Sequence, residues 1–417
     1  MSSTFASLRR LALAAGLLVA AACSGATPNP TPAPTPSPGA RARTVIVLGF
    51  DGFARRYLDT DSAPALHALA REGVSTANGM IPSFPTVTFP NFYALATGLY
   101  PDHSGIVNNR FYDSAYVDQF IYKNPIAHEA HWWGGEPIWV TATKQGTPVG
   151  AMFWVGSDAP IEGVRPAHWH SYDHAIQFSA RIDTLLAWLD LPAGERPRLL
   201  MGYFEEPDTQ GHIHGPDAPE TRASVLRVDS ALAQLVRGLE SRGLYDSVDI
   251  VVVADHGMAA ISPERRVYLD DAVDSASVNV VNLSPNLMIS ARDGNNDALL
   301  ARLKKLPHVT AWKKSEIPAR LHYGTNARIP AIVGVADPGW MIEWRNGRPY
   351  NGLGEHGYDN ASPDMRALFV ARGPDFKAGS TIGEFPNVDI YDLLARLLGV
   401  SPAPNDGTLA PFAAVLR

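Results

Sequence analysis

T-V-I-V-L-G-F-D-G, residues 44–52, is the stretch whose reading decides the fold. Its apolar, largely β-branched residues run without the polar alternation of a half-exposed strand, so both faces belong in a core. The run ends at Asp51, where a carboxylate and a glycine follow the strand directly. Three further runs repeat the pattern: V-G-A-M-F-W-V (149–155), L-L-M-G-Y-F (199–204) and V-D-I-V-V-V-A (248–254). Between them lies helical periodicity. The spacing of Val225, Val228, Leu232, Leu235 and Leu239 predicts a helix over 217–242, with Gly243 placed to stop it. A second helix is expected over 388–398, closing at Gly399. Strands alternating with helices predict an α/β fold, a mostly parallel doubly wound sheet flanked by helices. The mixed patterning of about 258–350 reads as an inserted α+β segment that covers or flanks the site.

Working outward, the rest of the chain bounds where such a domain operates. Apolar residues make up 46% of the 417 and charged residues 18%, the balance of an ordinary globular core. The net charge of −7 and the lack of a long basic run exclude a nucleic-acid-coating surface. Cys23 is the only cysteine, which excludes an intramolecular disulfide and a thiolate metal cluster. Arg9 and Arg10 precede the apolar run from Leu11 to Ala22, so residues 1–23 read as an export signal, too short to span a bilayer. The context A-A-A-C-S-G suits a lipid anchor through Cys23, although Ala20 stands where lipoprotein signals more often have Leu. Ordinary cleavage with a soluble product is the alternative. Residues 24–43 form a linker whose core, T-P-N-P-T-P-A-P-T-P-S-P, is an extended spacer rising about 3.1 Å per residue. Residues 44–417 then read as a single catalytic domain, exported to the periplasm or held as an outer-membrane or cell-surface lipoprotein. No partner protein is implied.

In open parallel sheets, sites form at the carboxyl ends of strands. A lone Asp after a strand usually caps a turn or helix. Here the feature repeats: G-F-D-G (Asp51), E-E-P-D-T-Q-G-H (Asp208, His212) and A-D-H-G-M (Asp255, His256) follow three strands, and E-H-G-Y-D-N (His356) comes later. Oxygen and nitrogen donors without a thiol suit zinc or another borderline divalent ion. Six such residues are too many for one catalytic zinc and fit two. By contrast His168, His170 and His174 in H-W-H-S-Y-D-H have no matching carboxylate motif and are not read as ligands. His128, His131 and His322 read as surface or hydrogen-bonded residues, and His214 and Glu205 as groups flanking the ligands. The run P-S-F-P-T-V-T-F-P-N-F-Y (82–93) offers three hydroxyls, Ser83, Thr86 and Thr88. Pro90 suits the first turn of a helix through 91–97, which sets Thr88 near an anion-favouring N-terminus.

Six motifs, G-F-D-G, T-F-P-N, G-I-V-N-N, E-E-P-D-x-x-G-H-x-x-G-P, A-D-H-G-M and E-H-G-Y, occur in order between residues 49 and 358. Together they resemble the nucleotide pyrophosphatase/phosphodiesterase family of the alkaline phosphatase superfamily, here as a bacterial exported member. The resemblance implies an alkaline-phosphatase-like sandwich, two Zn2+ per chain and a threonine nucleophile. One zinc would be held by Asp208, His212 and His356. The other would be held by Asp51, Asp255 and His256, with the Thr88 hydroxyl completing it. Asn109 and the backbone N–H of Phe89 would bind a non-bridging phosphoryl oxygen, and Phe89, Tyr172 and Tyr203 would form an aromatic slot for a nucleobase. Phe92 departs from the pattern, standing where relatives often have His.

The implied activity is a zinc-dependent phosphodiesterase or nucleotide pyrophosphatase that works through a covalent phosphothreonine and releases a nucleoside monophosphate. Metal coordination supplies the activation a threonine hydroxyl needs near neutral pH. A phosphomonoesterase on the same bimetallic site would want extra positive charge near the nucleophile, and Arg110 is the nearest candidate. A choline-type lipid phosphodiesterase would want acidic and aromatic groups for the ammonium. A sulfatase is excluded, because its modified-cysteine motif cannot be built around Cys23. A binding protein without catalysis is disfavoured by the full set of ligand positions.

Overall fold

Thr44–Phe50 (β1) lies inside an eight-stranded sheet, buried at every residue after Thr44. The computed structural model describes residues 43–417; the export signal, Cys23 and the spacer as far as Ala42 lie outside the described residues. Parallel neighbours flank β1, Leu199–Phe204 (β2) on one side and Val248–Val253 (β3) on the other. The register runs from Val45↔Leu199 to Phe50↔Phe204 and from Thr44↔Val248 to Gly49↔Val253. The three strands therefore end level, and the residues that follow them emerge along one edge. Beyond β2 come Val149–Met152 and His168–Trp169, both parallel. Beyond β3 the order continues with Phe369–Arg372, Val74–Thr76 and Ser380–Ile382. Phe369–Arg372 runs antiparallel to both of its neighbours, the departure from an otherwise parallel sheet. The sequence-read strands 44–50 and 199–204 coincide with the observed ones. The run 149–155 leaves the sheet after Met152, where Phe153–Val155 turn toward the cleft described below.

Helices Pro64–Glu72, Phe178–Leu189 and Asp389–Leu398 pack against these strands. Thr88–Thr97 (α1) starts two residues before Pro90, so the proline sits inside the first turn, where its missing N–H costs nothing. Asp208–His214 (α2) follows β2 after a short turn. Pro219–Ser241 (α3) carries the expected stripe, with Val225, Val228, Leu232, Leu235 and Leu239 all buried. Each such side chain contributes roughly 1.5–3 kcal/mol. Mid-helix Gly238 is set by packing: a Cβ there would lie 2.3 Å from Leu186 Cδ1 of Phe178–Leu189. Asp389–Leu398 (α4) ends on Gly399 at φ +69°, a left-handed cap suited to glycine.

The segment read as inserted holds a four-stranded antiparallel sheet in the order Val278–Asn282, Asn286–Ala291, Ile332–Ala336, Val309–Lys313. It has a hydrophobic cluster of its own, including Leu287, Ile289, Leu299, Leu303 and Ile332. Among the described residues no helix is long and apolar enough to cross a membrane.

Candidate active site

The level ends of β1, β2 and β3 deliver their acidic residues to one place. Asp51 follows β1 directly, and its carbonyl accepts the N–H of Asp208 at 3.0 Å. The Gly52 N–H donates to Asp255 Oδ1 at 3.0 Å, which ties the turn after β1 to the turn after β3. His256 Nε2 lies 2.9 Å from Asp255 Oδ2 and 3.6 Å from Asp51 Oδ1. Thr88, the first residue of α1, brings its Oγ1 to 3.4 Å from the same His256 Nε2. Asp208 stands with Oδ2 3.4 Å from His212 Nε2 and Oδ1 3.6 Å from His356 Nε2. The rings of His256 and His356 stack at 3.6 Å. All seven residues expected as ligands thus meet in one cluster.

Each histidine is oriented by its other nitrogen. His256 Nδ1 bonds the Gly257 carbonyl at 2.9 Å, His356 Nδ1 the Thr86 carbonyl at 2.9 Å and His212 Nδ1 the Gly354 carbonyl at 3.1 Å. A carbonyl can only accept, so Nδ1 carries a proton in all three rings and Nε2 is the nitrogen turned toward the common space. This is how metal-binding imidazoles are held. Within that space Asp51 Oδ1, Asp208 Oδ1 and Asp255 Oδ2 are buried with no hydrogen-bond donor. Asp255 Oδ2 is close to His256 Nε2 without bonding it, as expected for two ligands aimed at a third point.

The electrostatics carry the same signature. Burial pushes the Asp51 carboxyl well above the usual carboxylate range, and the charges of Asp255 and Asp208 push the same way. Burial also drives the His356 imidazole well below its ordinary value, with His256 adding to the effect. For Asp208, burial works upward, but His212, His356 and His256 outweigh it and hold the carboxyl low. His212 would be lowered by burial, yet Asp208 and Glu355 push it up to about 10. Three carboxylates and three imidazoles packed this closely, most of them buried, are mutually frustrated, and divalent cations would relieve them. The groupings close enough to share one ion are Asp51–Asp255–His256, Asp208–His256–His356 and His212–Glu355–His356. The donor set fits a borderline divalent ion such as zinc, and Asp208, His212 and His356, expected to share one ion, are split between the last two of these groupings.

The cluster opens into a cleft of about 850 Å³ lined by Thr88, Phe89, Asn109, Tyr172 and Tyr203 among others. Asn109 Oδ1 accepts the Phe89 N–H at 2.8 Å, leaving the amide Nδ2 as the free donor of that pair. Phe89 packs edgewise on Tyr122 and Phe120, and Tyr172, 48% exposed, packs on Phe153 and Tyr203. Tyr203 has a second connection, since its hydroxyl donates to Asp51 Oδ2 at 2.6 Å. Phe92 backs this arrangement with its ring 5.1 Å from Tyr203 and 5.2 Å from Trp154.

Three groups carry more than their sequence context indicated. Thr86 orients His356 through its carbonyl, and its hydroxyl accepts the Gly357 N–H at 3.0 Å and donates to the Tyr358 carbonyl at 2.9 Å. Tyr350 Oη lies 2.8 Å from His212 Nδ1. Glu355 adds a carboxylate 3.7 Å from the same nitrogen. Only the E-H-G-Y run hinted at the last of these, by adjacency. Ser83 is structural: its hydroxyl donates to Asn387 Oδ1 at 2.7 Å. His168 and His170 stay outside the cluster, against the Glu195 carbonyl and the Trp188 ring. His174 meets Glu205, which also pairs with buried Arg181 at 2.6 Å. His128 pairs with Asp158, His131 with Glu129, and His322 stacks on Tyr100.

The family model for type I phosphodiesterase/nucleotide pyrophosphatase matches residues 45–359. Over 376 residues the chain is 37% identical to ectonucleotide pyrophosphatase/phosphodiesterase family member 3 of Bos taurus, covering 87% of this chain and 43% of that protein. Over 382 residues it is 36% identical to a pyrophosphatase/phosphodiesterase of Schizosaccharomyces pombe, covering 88% and 79% respectively. A venom phosphodiesterase of Macrovipera lebetinus is 37% identical over 376 residues, covering 87% and 44%. The chain thus spans less than half the length of the bovine and viper relatives. Among solved structures, murine ectonucleotide pyrophosphatase/phosphodiesterase 5 superposes with a TM-score of 0.86 at 33% identity, covering 90% of this chain and 100% of that one. That structure is of an inactive threonine-to-alanine variant in complex with AMP.

Proposed function

The chain belongs to the type I phosphodiesterase/nucleotide pyrophosphatase family, and from that premise we propose that it is a zinc-dependent phosphodiesterase cleaving nucleotide phosphodiester or pyrophosphate bonds. The observation that carries the proposal is Thr88 Oγ1 at the first turn of α1, 3.4 Å from Nε2 of buried His256, which itself lies 2.9 Å from Asp255 Oδ2 and 3.6 Å from Asp51 Oδ1. Zinc ions held by Asp51, Asp255, His256 and Thr88, and by Asp208, His212 and His356, would supply positive charge to ionise the threonine hydroxyl and to offset the charge on the leaving oxygen.

The remaining steps belong to the chain. Thr88 Oγ attacks phosphorus; the new threonine–phosphorus bond forms as the bond to the leaving alcohol or phosphate breaks. The covalent phosphothreonine is then displaced by water, releasing a nucleoside monophosphate, and two in-line inversions give net retention at phosphorus. Asn109 Nδ2 donates to a non-bridging oxygen. The Phe89 N–H, held by Asn109 Oδ1 in the free site, would turn to the same oxygen when substrate arrives. Phe89, Tyr172 and Tyr203 would receive the base; that the murine neighbour is a complex with AMP supports a nucleotide in this cleft. That neighbour is inactive with one threonine changed to alanine, which supports a threonine in the chemistry. The same reading makes residues 44–417 one catalytic domain and carries the export signal and Cys23 anchor forward to a periplasmic or cell-surface location.

The test is a side-by-side kcat/KM for a nitrophenyl nucleotide diester, nitrophenyl phosphate and nitrophenyl phosphorylcholine. The nucleotide diester should be turned over best, activity should vanish in excess chelator, and zinc should restore it. Preference for the monoester, or full activity without metal, would overturn the proposal.

A further inference from the structure

The inserted segment reaches the site through one buried amide. Asn286 opens the strand Asn286–Ala291 and is 2% exposed. Its Oδ1 accepts from Asn108 Nδ2 at 2.6 Å and from Asn282 Nδ2 at 2.9 Å, while its Nδ2 donates to the Gly357 carbonyl at 3.3 Å. Asn108 Oδ1 accepts the N–H of Asn109 at 2.7 Å, fixing the backbone of the residue that faces the phosphoryl group. On the other side, Gly357 directly follows His356, and its N–H binds the Thr86 hydroxyl. The fit is close: a Cβ on Gly357, which sits at φ +98°, would lie 2.7 Å from Asn286 Nδ2. One planar group with an acceptor for two donors and a donor for a carbonyl meets all these demands, and no apolar residue does. Left unmade in a buried place, each of these bonds is costly, so the network is rigid.

We propose that Asn286 is a positioning residue that couples Asn109 to His356, so that the inserted segment sets the distance between the phosphoryl-binding amide and the metal ligands. This rests on the function proposed above. Its test therefore includes zinc affinity, measured without substrate by competition with a chelator. The second readout is the kcat/KM ratio for the two diastereomers of a phosphorothioate nucleotide diester, which reports the contact to one non-bridging oxygen.

Asn286→Ala should weaken zinc binding about tenfold or more, the scale seen for residues that orient ligands, and should shrink the diastereomer ratio. Asn108→Ala breaks the Asn109 arm, with a contact to Met288 Sδ, and spares the bond from Asn286 to the Gly357 carbonyl, so it should shrink the ratio and leave zinc affinity intact. Thr141→Val, which removes an equally buried hydroxyl bonded to Glu136 and Tyr391, should change neither. A folded Asn286→Ala protein with wild-type zinc affinity would overturn the coupling. If that variant does not fold, an unchanged ratio in Asn108→Ala would overturn it. Should the wild-type protein hydrolyse no diester, the functional reading fails, and the zinc comparison still decides the role of Asn286.

Discussion

Tyr203→Phe separates the two things Tyr203 does. The substitution keeps the ring, and with it the edge contacts to Phe92 at 5.1 Å and Tyr172 at 5.8 Å. It removes only the hydroxyl that donates to Asp51 Oδ2 at 2.6 Å. A hydrogen bond to a buried charged group contributes about 1.5–3 kcal/mol, which at roughly 1.4 kcal/mol per decade is about one to two orders of magnitude in zinc affinity. The same range is expected for residues that orient a ligand. The hydroxyl also favours ionised Asp51. Without it the carboxyl holds its proton to higher pH, so zinc binding by the variant should fail at a higher pH than in the wild type. Zinc titrations against a competing chelator at several pH values measure both effects, and kcat/KM at saturating zinc should return close to wild type. Unchanged zinc affinity, or an activity loss that saturating zinc does not repair, would refute the reasoning and place the hydroxyl on the substrate.

Three more outcomes are expected. Thr88→Ala should leave the fold and most zinc binding in place while nearly abolishing diester turnover; activity within about tenfold of wild type would exclude Thr88 as the nucleophile. Asp389, 2% exposed in α4, has its carboxyl raised to about 6 by burial, against a hydrogen bond from the Thr408 N–H and with the charge of Asp392 adding to the rise. Its folded pKa lies above the unfolded one, so its contribution to stability is full below about pH 4 and is lost as pH rises through about 6. That loss, on the order of 3 kcal/mol, should appear in unfolding titrations of the wild type and be flattened in Asp389→Asn. Gly238→Ala would force a methyl against Leu186 where a Cβ has only 2.3 Å, and should destabilise the folded state by about 1–3 kcal/mol despite alanine's better helix propensity.

Much of this molecule is written in short stretches of chain. The central strands are legible because a parallel strand buried on both faces must be a continuous apolar run, and β1 and β2 lie where those runs lie. The α3 stripe is legible for the same reason at helical period. Asp51, Asp208, Asp255 and their histidines could be picked out because each sits within a few residues of a strand end, and the parallel register brings those ends level. What the local sequence could not carry is the layer behind them. The antiparallel strand Phe369–Arg372 has no crossover helix to announce it, and its place is decided by pairing with β3. Thr86 looked interchangeable with Ser83 until the fold set its carbonyl against His356, a partner 270 residues away. Tyr203 is expected from the sequence only as part of an aromatic slot for a nucleobase, and the side-by-side pairing of β1 and β2 puts its hydroxyl on Asp51. Tyr350 and Asn286 come from the inserted segment and bear no motif, because a hydrogen bond from a distant element needs a donor in the right place and not a particular neighbour in sequence. By itself the sequence determined the central parallel strands and the donor types gathered at their ends. The tertiary structure decided how each ligand is aimed, since aim depends on second partners contributed by segments far apart in the chain.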